Sequence, residues 1–203
     1  MTRARFAATA TATLLALAAC GAAQDVEPAP VATPPAAVPA PTPAQAPAAQ
    51  QQPASPRDTA RATIGGAQVM VDYGRPYMRG RTIMGGLVPY GRVWRTGANE
   101  ATHLVTPAEL RIGGTTVPAG SYTLYTLPGE TEWQLIVNRQ TGQWGTQYDQ
   151  AQDLARIPLR VSRTPAAVEQ FTIHLQPRGD REGTLVLEWE NTRAEVPFTV
   201  VGR

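Results

Sequence analysis

The chain has 203 residues and a formal net charge of +2, and all 18 of its basic residues are arginine. The absence of lysine excludes Schiff-base chemistry, and so small a charge gives no indication of the clustered basic face of a nucleic-acid binder. The length allows one domain plus tails, or at most two small domains.

The N-terminus reads as an export signal. Arg3 and Arg5 form a positive start, Phe6 to Leu17 an apolar stretch, and Leu17-Ala18-Ala19-Cys20 closes it with small residues. This ending resembles the bacterial lipobox, where cleavage precedes a cysteine that is then acylated, as with palmitate; the alternative is an ordinary secretory signal cut near Cys20. The apolar stretch is shorter than the ~20 residues of a membrane span. Each buried methylene of an acyl chain contributes about 0.8 kcal/mol, so several chains on Cys20 anchor a protein durably. The expectation is a signal peptide over 1–19 and a lipoprotein of the cell envelope. Gly21 stands where an aspartate would signal inner-membrane retention, which points to the outer membrane, facing the periplasm. Cys20 is the only cysteine, so the exported domain has no disulfide and relies on its core. A body of about 145 residues buries about two-thirds of its unfolded surface, which suffices.

Residues 21–56 hold ten of the 19 prolines, with Ala and Gln between them. Such a segment cannot bury a core and favours extended polyproline II, with a reach on the order of 100 Å. The expectation is a tether over 20–60 and one domain over 61–203.

From Arg57 onward, apolar and polar residues alternate between turn signals. Strands are predicted at Ala67 to Tyr73, Ala101 to Thr106, Glu109 to Ile112 and Thr115 to Val117, the last two joined by the two-glycine turn Gly113-Gly114. Ser121 to Leu127 and Glu132 to Asn138 flank Pro128-Gly129-Glu130-Thr131 as a second hairpin. Leu154 to Ser162 reads as a strand that Pro158 marks as edge or bulged. Phe171, Ile173 and Leu175, then Leu185, Leu187 and Trp189, then Val196, Phe198 and Val200, show the clearest period-two patterns. No window has a sustained helical period. About eight to ten short antiparallel strands with Gly/Pro turns predict an all-β domain, a single β-sandwich or jelly-roll-like fold.

The long segment 74–102 interrupts this pattern. It carries Arg75, Arg79, Arg81, Arg92 and Arg95, six glycines, and Tyr77, Tyr90 and Trp94, with no acid before Glu100. Loops beyond about 12–15 residues are uncommon unless functional or disordered, and the aromatic content here argues against disorder.

The string Tyr73-Gly74-Arg75-Pro76, then Arg79 to Gly91, then Val93-Trp94-Arg95-Thr96-Gly97-Ala98-Asn99-Glu100-Ala101-Thr102, resembles the DUF2911 family of exported bacterial proteins. Pro118-Ala119-Gly120-Ser121-Tyr122, Asn138, Gln143-Trp144-Gly145, Tyr148-Asp149, Asp153 and Leu187-Glu188-Trp189-Glu190 extend the resemblance over roughly 65–200. It implies an all-β extracytoplasmic domain. The family is one of unknown activity, so it implies no catalytic residues, and His103 lies outside its pattern.

Two constellations are candidate sites. Arginines beside Trp94, Asn99 and Glu100 suit an anionic or sugar-like ligand, because guanidinium groups bind carboxylate and phosphate bidentately and stack on aromatic faces. Alternatively, Arg81 or Arg95 pairs with Glu100 or Asp72 to pin the loop. Gln143-Trp144-Gly145 with Tyr148 offers either a stacking platform or a plug for the end of the sandwich. The candidate ligand residues are thus Arg81, Trp94, Arg95, Asn99, Glu100, Trp144 and Tyr148.

Nucleophile-elbow, Walker and zinc-protease motifs are absent. His103 and His174 with Glu100 or Glu109 make a conceivable but unexpected zinc site. Glu100 with Asp149 or Asp153 makes a conceivable glycosidase pair if a sugar-sized cleft separates them. The resulting expectation is a lipid-anchored envelope module that binds an anionic or glycan-like ligand without catalysis, has the membrane as partner through Cys20, and requires no cofactor, metal or nucleic acid. A hydrolase using Glu100 and an Asp, and a purely structural lipoprotein, are the alternatives.

Overall fold

The structure is a computed structural model that describes residues 54–202. Cys20, the signal peptide and most of the proline-rich segment lie outside the described residues. Among those described, no helix is long and apolar enough to cross a membrane.

The domain is all-β, as the period-two pattern requires. Nine strands, β1 (Arg57–Ile64), β2 (Ala67–Gly74), β3 (Thr102–Thr106), β4 (Leu110–Ile112), β5 (Thr115–Val117), β6 (Gly120–Leu127), β7 (Trp133–Asn138), β8 (Asp153–Pro177) and β9 (Glu182–Val200), pair antiparallel in the order β1-β2-β3-β6-β7-β8-β9-β4-β5. A single 3₁₀ turn, Gln150–Gln152, precedes β8. Both glycines of the β4–β5 turn have positive φ, +52° and +86°, the conformation that two-residue hairpins demand. Gly65 and Gly66 (+57° and +77°) make the same turn between β1 and β2. That turn is the signal for β1, which the sequence reading omits: β1 begins at Arg57, inside the segment assigned to the tether.

The sheet doubles back on itself through its two longest strands. β8 pairs with β7 over Asp153–Leu159 and with β9 from Arg160 onward. Pro158 therefore sits where β8 has one ladder partner, the edge-like setting in which strands tolerate proline. Tyr73 of β2 then meets Phe171 of β8 edge-on at 5.7 Å, although three strands separate β2 from β8 in the sheet order. The Tyr73 hydroxyl accepts from the Ile173 N–H (2.9 Å) and donates to its carbonyl (3.4 Å). Pro76–Met78 adds a short backbone pair to β8 at Glu169–Phe171, closing the seam between the two ends.

Two predicted strand pairs are each one strand. In β9, Leu185, Leu187 and Trp189 point inward, and after Glu190 the inward set becomes Ala194, Val196, Phe198 and Val200. The phase changes at Glu190, whose φ is +54°, where the ladder to β8 shifts register. An extra residue at a bulge switches faces without ending the strand. In β8, the ten residues Arg163 to Thr172 stand against the five residues Glu188 to Thr192 of β9, and this stretch is largely exposed.

The interior is apolar and aromatic. Trp189 stacks on Trp94 at 5.7 Å and lies 5.8 Å from Phe171. Truncating Trp189, which is 1 % exposed, removes the wall between these layers. Trp189→Ala should lower stability by about 3–5 kcal/mol in chemical denaturation, while the solvent-facing Arg111→Ala, at an exposed position of β4, should change it by less than ~0.5 kcal/mol.

Candidate functional site

The arginine-rich segment is ordered by the sheet it leaves. Where β3 stops, Trp94 takes its place beside β6: its N–H donates to Thr126 O (2.7 Å) and its carbonyl accepts from Thr126 N–H (2.9 Å). Strand alternation then turns Trp94 toward Phe171 (5.1 Å) and Trp189 and puts Val93 and Arg95 on the other side. Thr96 is fully buried with φ +52°, a costly conformation for a β-branched residue. It is held by its hydroxyl against Thr126 Oγ1 (3.2 Å) and by its carbonyl, which accepts from Thr102 Oγ1 (2.8 Å). Asn99, at φ +64°, completes the turn.

A second loop docks on this one. Gly145 N–H donates to Asn99 O at 2.9 Å and Ala101 N–H to Gln143 O at 3.2 Å, so that Glu100 and Trp144 are cross-strand partners. Gln143 points inward, its Nε2 donating to Thr123 Oγ1 and Tyr125 OH, both at 3.1 Å. Glycine is required at 145: a Cβ there would lie 2.7 Å from Arg95 Cδ and 2.8 Å from Asn99 O.

The two loops enclose a cavity of about 420 Å³, within the range of small-molecule sites. Trp94, Tyr125 and Trp189 form its apolar wall, and Arg81, Arg95, Asn99, Gly145 and Tyr148 its polar one. No Asp or Glu is among the lining residues. The Arg95 stem packs on Gly145 and its Nε donates to Gly97 O at 3.3 Å. Its two terminal amino groups make no hydrogen bond among the described residues. Arg81 is likewise oriented by backbone carbonyls, Nε to Met78 O (2.9 Å) and Nη2 to Tyr77 O (2.7 Å). The ion pairs of the described arginines involve Arg57, Arg75, Arg156 and Arg193; the guanidinium groups of Arg79, Arg81, Arg92 and Arg95 pair with no carboxylate there. The N–H groups of Gly97, Ala98 and Asn99, residues that line the cavity, also make no backbone hydrogen bond among the described residues.

Tyr148 forms the remaining wall. Its hydroxyl donates to Asp153 Oδ2 (2.6 Å) and accepts from Arg156 Nη2 (2.8 Å), and its ring meets Tyr125 edge-on at 4.9 Å. Burial, reinforced by the Asp153 carboxylate, pushes the phenol up to about 12.

Of the predicted ligand residues, Arg81, Trp94, Arg95, Asn99 and Tyr148 converge on this cavity. Glu100 and Trp144 do not. Opposed residues of an antiparallel pair project to one face, and theirs is the face away from the cavity, where Glu100 accepts from Arg57 Nη1 at 3.0 Å. The expected loop-pinning pairs of Arg81 or Arg95 with Glu100 or Asp72 are also corrected: Arg57 binds both carboxylates, and Arg75 ties the loop's start to Asp58, Phe171 O and Thr172. Trp144 is no plug, being 46 % exposed. Asp149 caps the 3₁₀ turn through Ala151 N–H, and Asp153 is committed to Tyr148, Arg156 and Asn138, so neither faces Glu100 across the cavity. The described residues hold no group of three or more His, Cys, Asp or Glu side chains placed to share a metal. Burial lowers the His103 pKa, and His174 Nε2 lies 3.5 Å from Glu188.

Tyr125, Trp189 and Arg57 were not anticipated. Tyr125 and Trp189 belong to regular strands and read as core; the signal for Arg57, a cation opening a strand opposite acids, is too common to single out.

A family model described as "Protein of unknown function (DUF2911)" matches residues 55–198. No curated protein and no solved structure matches the chain.

The Tyr148 phenol should remain protonated well above the ordinary tyrosine range near 10, ionising near about 12 in near-ultraviolet titration. Because folding raises this pKa, the stability it contributes is complete below pH ~10 and is lost as pH rises toward ~12. Asp153→Asn, which removes the charge opposing ionisation, should lower the Tyr148 pKa; an unchanged titration would contradict the network.

Proposed function

The chain belongs to the DUF2911 family, whose description assigns no activity, and from the cavity itself we propose that the domain is a non-catalytic module that binds a small anionic ligand. The observation that carries this is the Arg95 fork: its stem and Nε are fixed by Gly145 and Gly97 O, its terminal amino groups are free, and no acid lines the cavity around it. A pre-oriented guanidinium presents two parallel N–H donors to a carboxylate, phosphate or sulfate. Arg81 adds a second positive charge to the same lining. The Trp94, Tyr125 and Trp189 wall favours an anion that also carries a flat or apolar body.

Hydrolysis is the weaker reading. Glycoside hydrolysis needs two carboxyl groups flanking the bond, and the acids considered for it are engaged outside the cavity lining. A purely structural role leaves the oriented but unpaired Arg95 without a purpose.

We further propose that the module is moored to the outer membrane by acylated Cys20, with the proline-rich stretch as spacer; the lipobox-like Leu17-Ala18-Ala19-Cys20 supports this. Metabolic labelling with palmitate should tag the chain and fail with Cys20→Ser.

For the cavity, thermal shifts with inorganic phosphate, benzoate and phenyl phosphate provide the test. A ligand at 100 times its dissociation constant stabilises by about 2.7 kcal/mol, and phenyl phosphate should outperform inorganic phosphate by using the aromatic wall. Arg95→Ala should weaken binding by about 1.5–3 kcal/mol, the range for hydrogen bonds to charged groups. Equal shifts in wild type and Arg95→Ala would exclude the fork.

A further inference from the structure

The surface on the other side of the loop pair has different chemistry. The cross-strand pairing of Glu100 with Trp144 brings their side chains together, with Cβ atoms ~4.5–5.5 Å apart. Trp144 is 46 % exposed, whereas Trp133 and Trp189 are 3 % and 1 % exposed. Its indole packs against no other aromatic ring and its N–H has no partner among the described residues. Yet its backbone is fixed on both sides, by Gly145 N–H to Asn99 O and by Ala101 N–H to Gln143 O. Single exposed apolar side chains are ordinary; what sets Trp144 apart is an open indole on a fixed backbone directly opposite a carboxylate.

Glu100 links the indole's surroundings to a charged network. The Glu100 carboxylate, 54 % exposed, takes a hydrogen bond from Arg57, which also binds Asp72. Thr59, Asp72 and His103 stand in one cross-strand row of β1, β2 and β3, a strip about 10 Å long at ~4.8 Å per strand. One guanidinium faces two carboxylates here, and burial favours neutral His103, so this surface repels the anions that suit the cavity.

We infer that this surface binds a neutral glycan of β-linked, gluco-configured pyranose rings, with Trp144 as the stacking platform and Glu100 and Arg57 as the hydroxyl-reading pair. In such rings the hydroxyls are equatorial, so the ring faces present C–H groups that lie flat on an indole. Neighbouring hydroxyls can donate to a carboxylate and accept from a guanidinium at once. The inference is independent of the anion cavity.

The full chain is titrated with cellohexaose and with the β-1,4-linked N-acetylglucosamine hexamer, followed by calorimetry and by iodide quenching of tryptophan fluorescence. Binding should be weak, with a dissociation constant near about 1 mM, and it should remove the part of the iodide quenching that Trp144→Ala also removes, Trp144 being the most exposed of the four indoles. Trp144→Ala should weaken binding by about tenfold or more without changing the melting temperature. Glu100→Gln should weaken it less, and Arg95→Ala, inside the cavity, should leave it unchanged. No heat and no protection with either sugar, or undiminished binding by Trp144→Ala, would overturn the inference. Loss of binding in Arg95→Ala with full binding in Trp144→Ala would relocate the sugar to the cavity.

Discussion

Two backbone hydrogen bonds, Gly145 N–H to Asn99 O and Ala101 N–H to Gln143 O, organise the functional end of the domain. They convert two loops far apart in the chain into a short antiparallel pair, and such a pair sorts side chains by parity. Gln143 is turned onto Thr123 and Tyr125 beneath, Asn99 and Gly145 meet the cavity, and Glu100 and Trp144 face away. The separation of Asn99 and Gly145 from Glu100 and Trp144 follows from that parity. The close approach this demands is also why position 145 has no side chain, since the Arg95 stem occupies the space a Cβ would need.

The pair rests on a rigid foundation. Trp94, Phe171, Trp189 and Tyr73 form a continuous aromatic layer with ring centroids 5.1–5.8 Å apart, and Trp94 belongs to the same segment as Arg95. The neighbour of the proposed anion-binding fork is therefore anchored in the core, so that little ordering remains to be paid for when a ligand arrives. The positive φ of Thr96 and Asn99 falls in the same few residues. Such conformations persist only where surroundings over-determine them, and here buried hydroxyl and backbone bonds do so.

Charge is divided by the same geometry. Arg57 and Arg75 satisfy carboxylates at the base of the segment and fasten it to β1, β2 and β8, whereas Arg81 and Arg95 are oriented by backbone carbonyls. A guanidinium held by a neutral carbonyl keeps its full charge available, whereas one paired to a carboxylate does not. Three of the five arginines in this stretch thus take up separate tasks, fastening for Arg75 and, in the reading proposed above, recognition for Arg81 and Arg95.

Much of the fold was legible in the residues alone, because alternation and two-residue turns are local properties. The strands from Ala67 onward, the Gly113-Gly114 hairpin, the all-β class and the family resemblance needed no partner to be read. The ordered state of the arginine-rich segment was likewise legible, from its aromatic content. The joining of Leu185–Glu190 and Val196–Val200 into one strand was not legible, since a bulge at Glu190 reverses the inward parity and looks, locally, like a break. Nor was the fate of individual site residues: Glu100 chose Arg57 over Arg81 or Arg95, and Trp144 turned away from Trp94, because strand register across 40 or so residues decides which faces meet. Sequence periodicity determines that a residue alternates; only the pairing of distant backbones determines toward what.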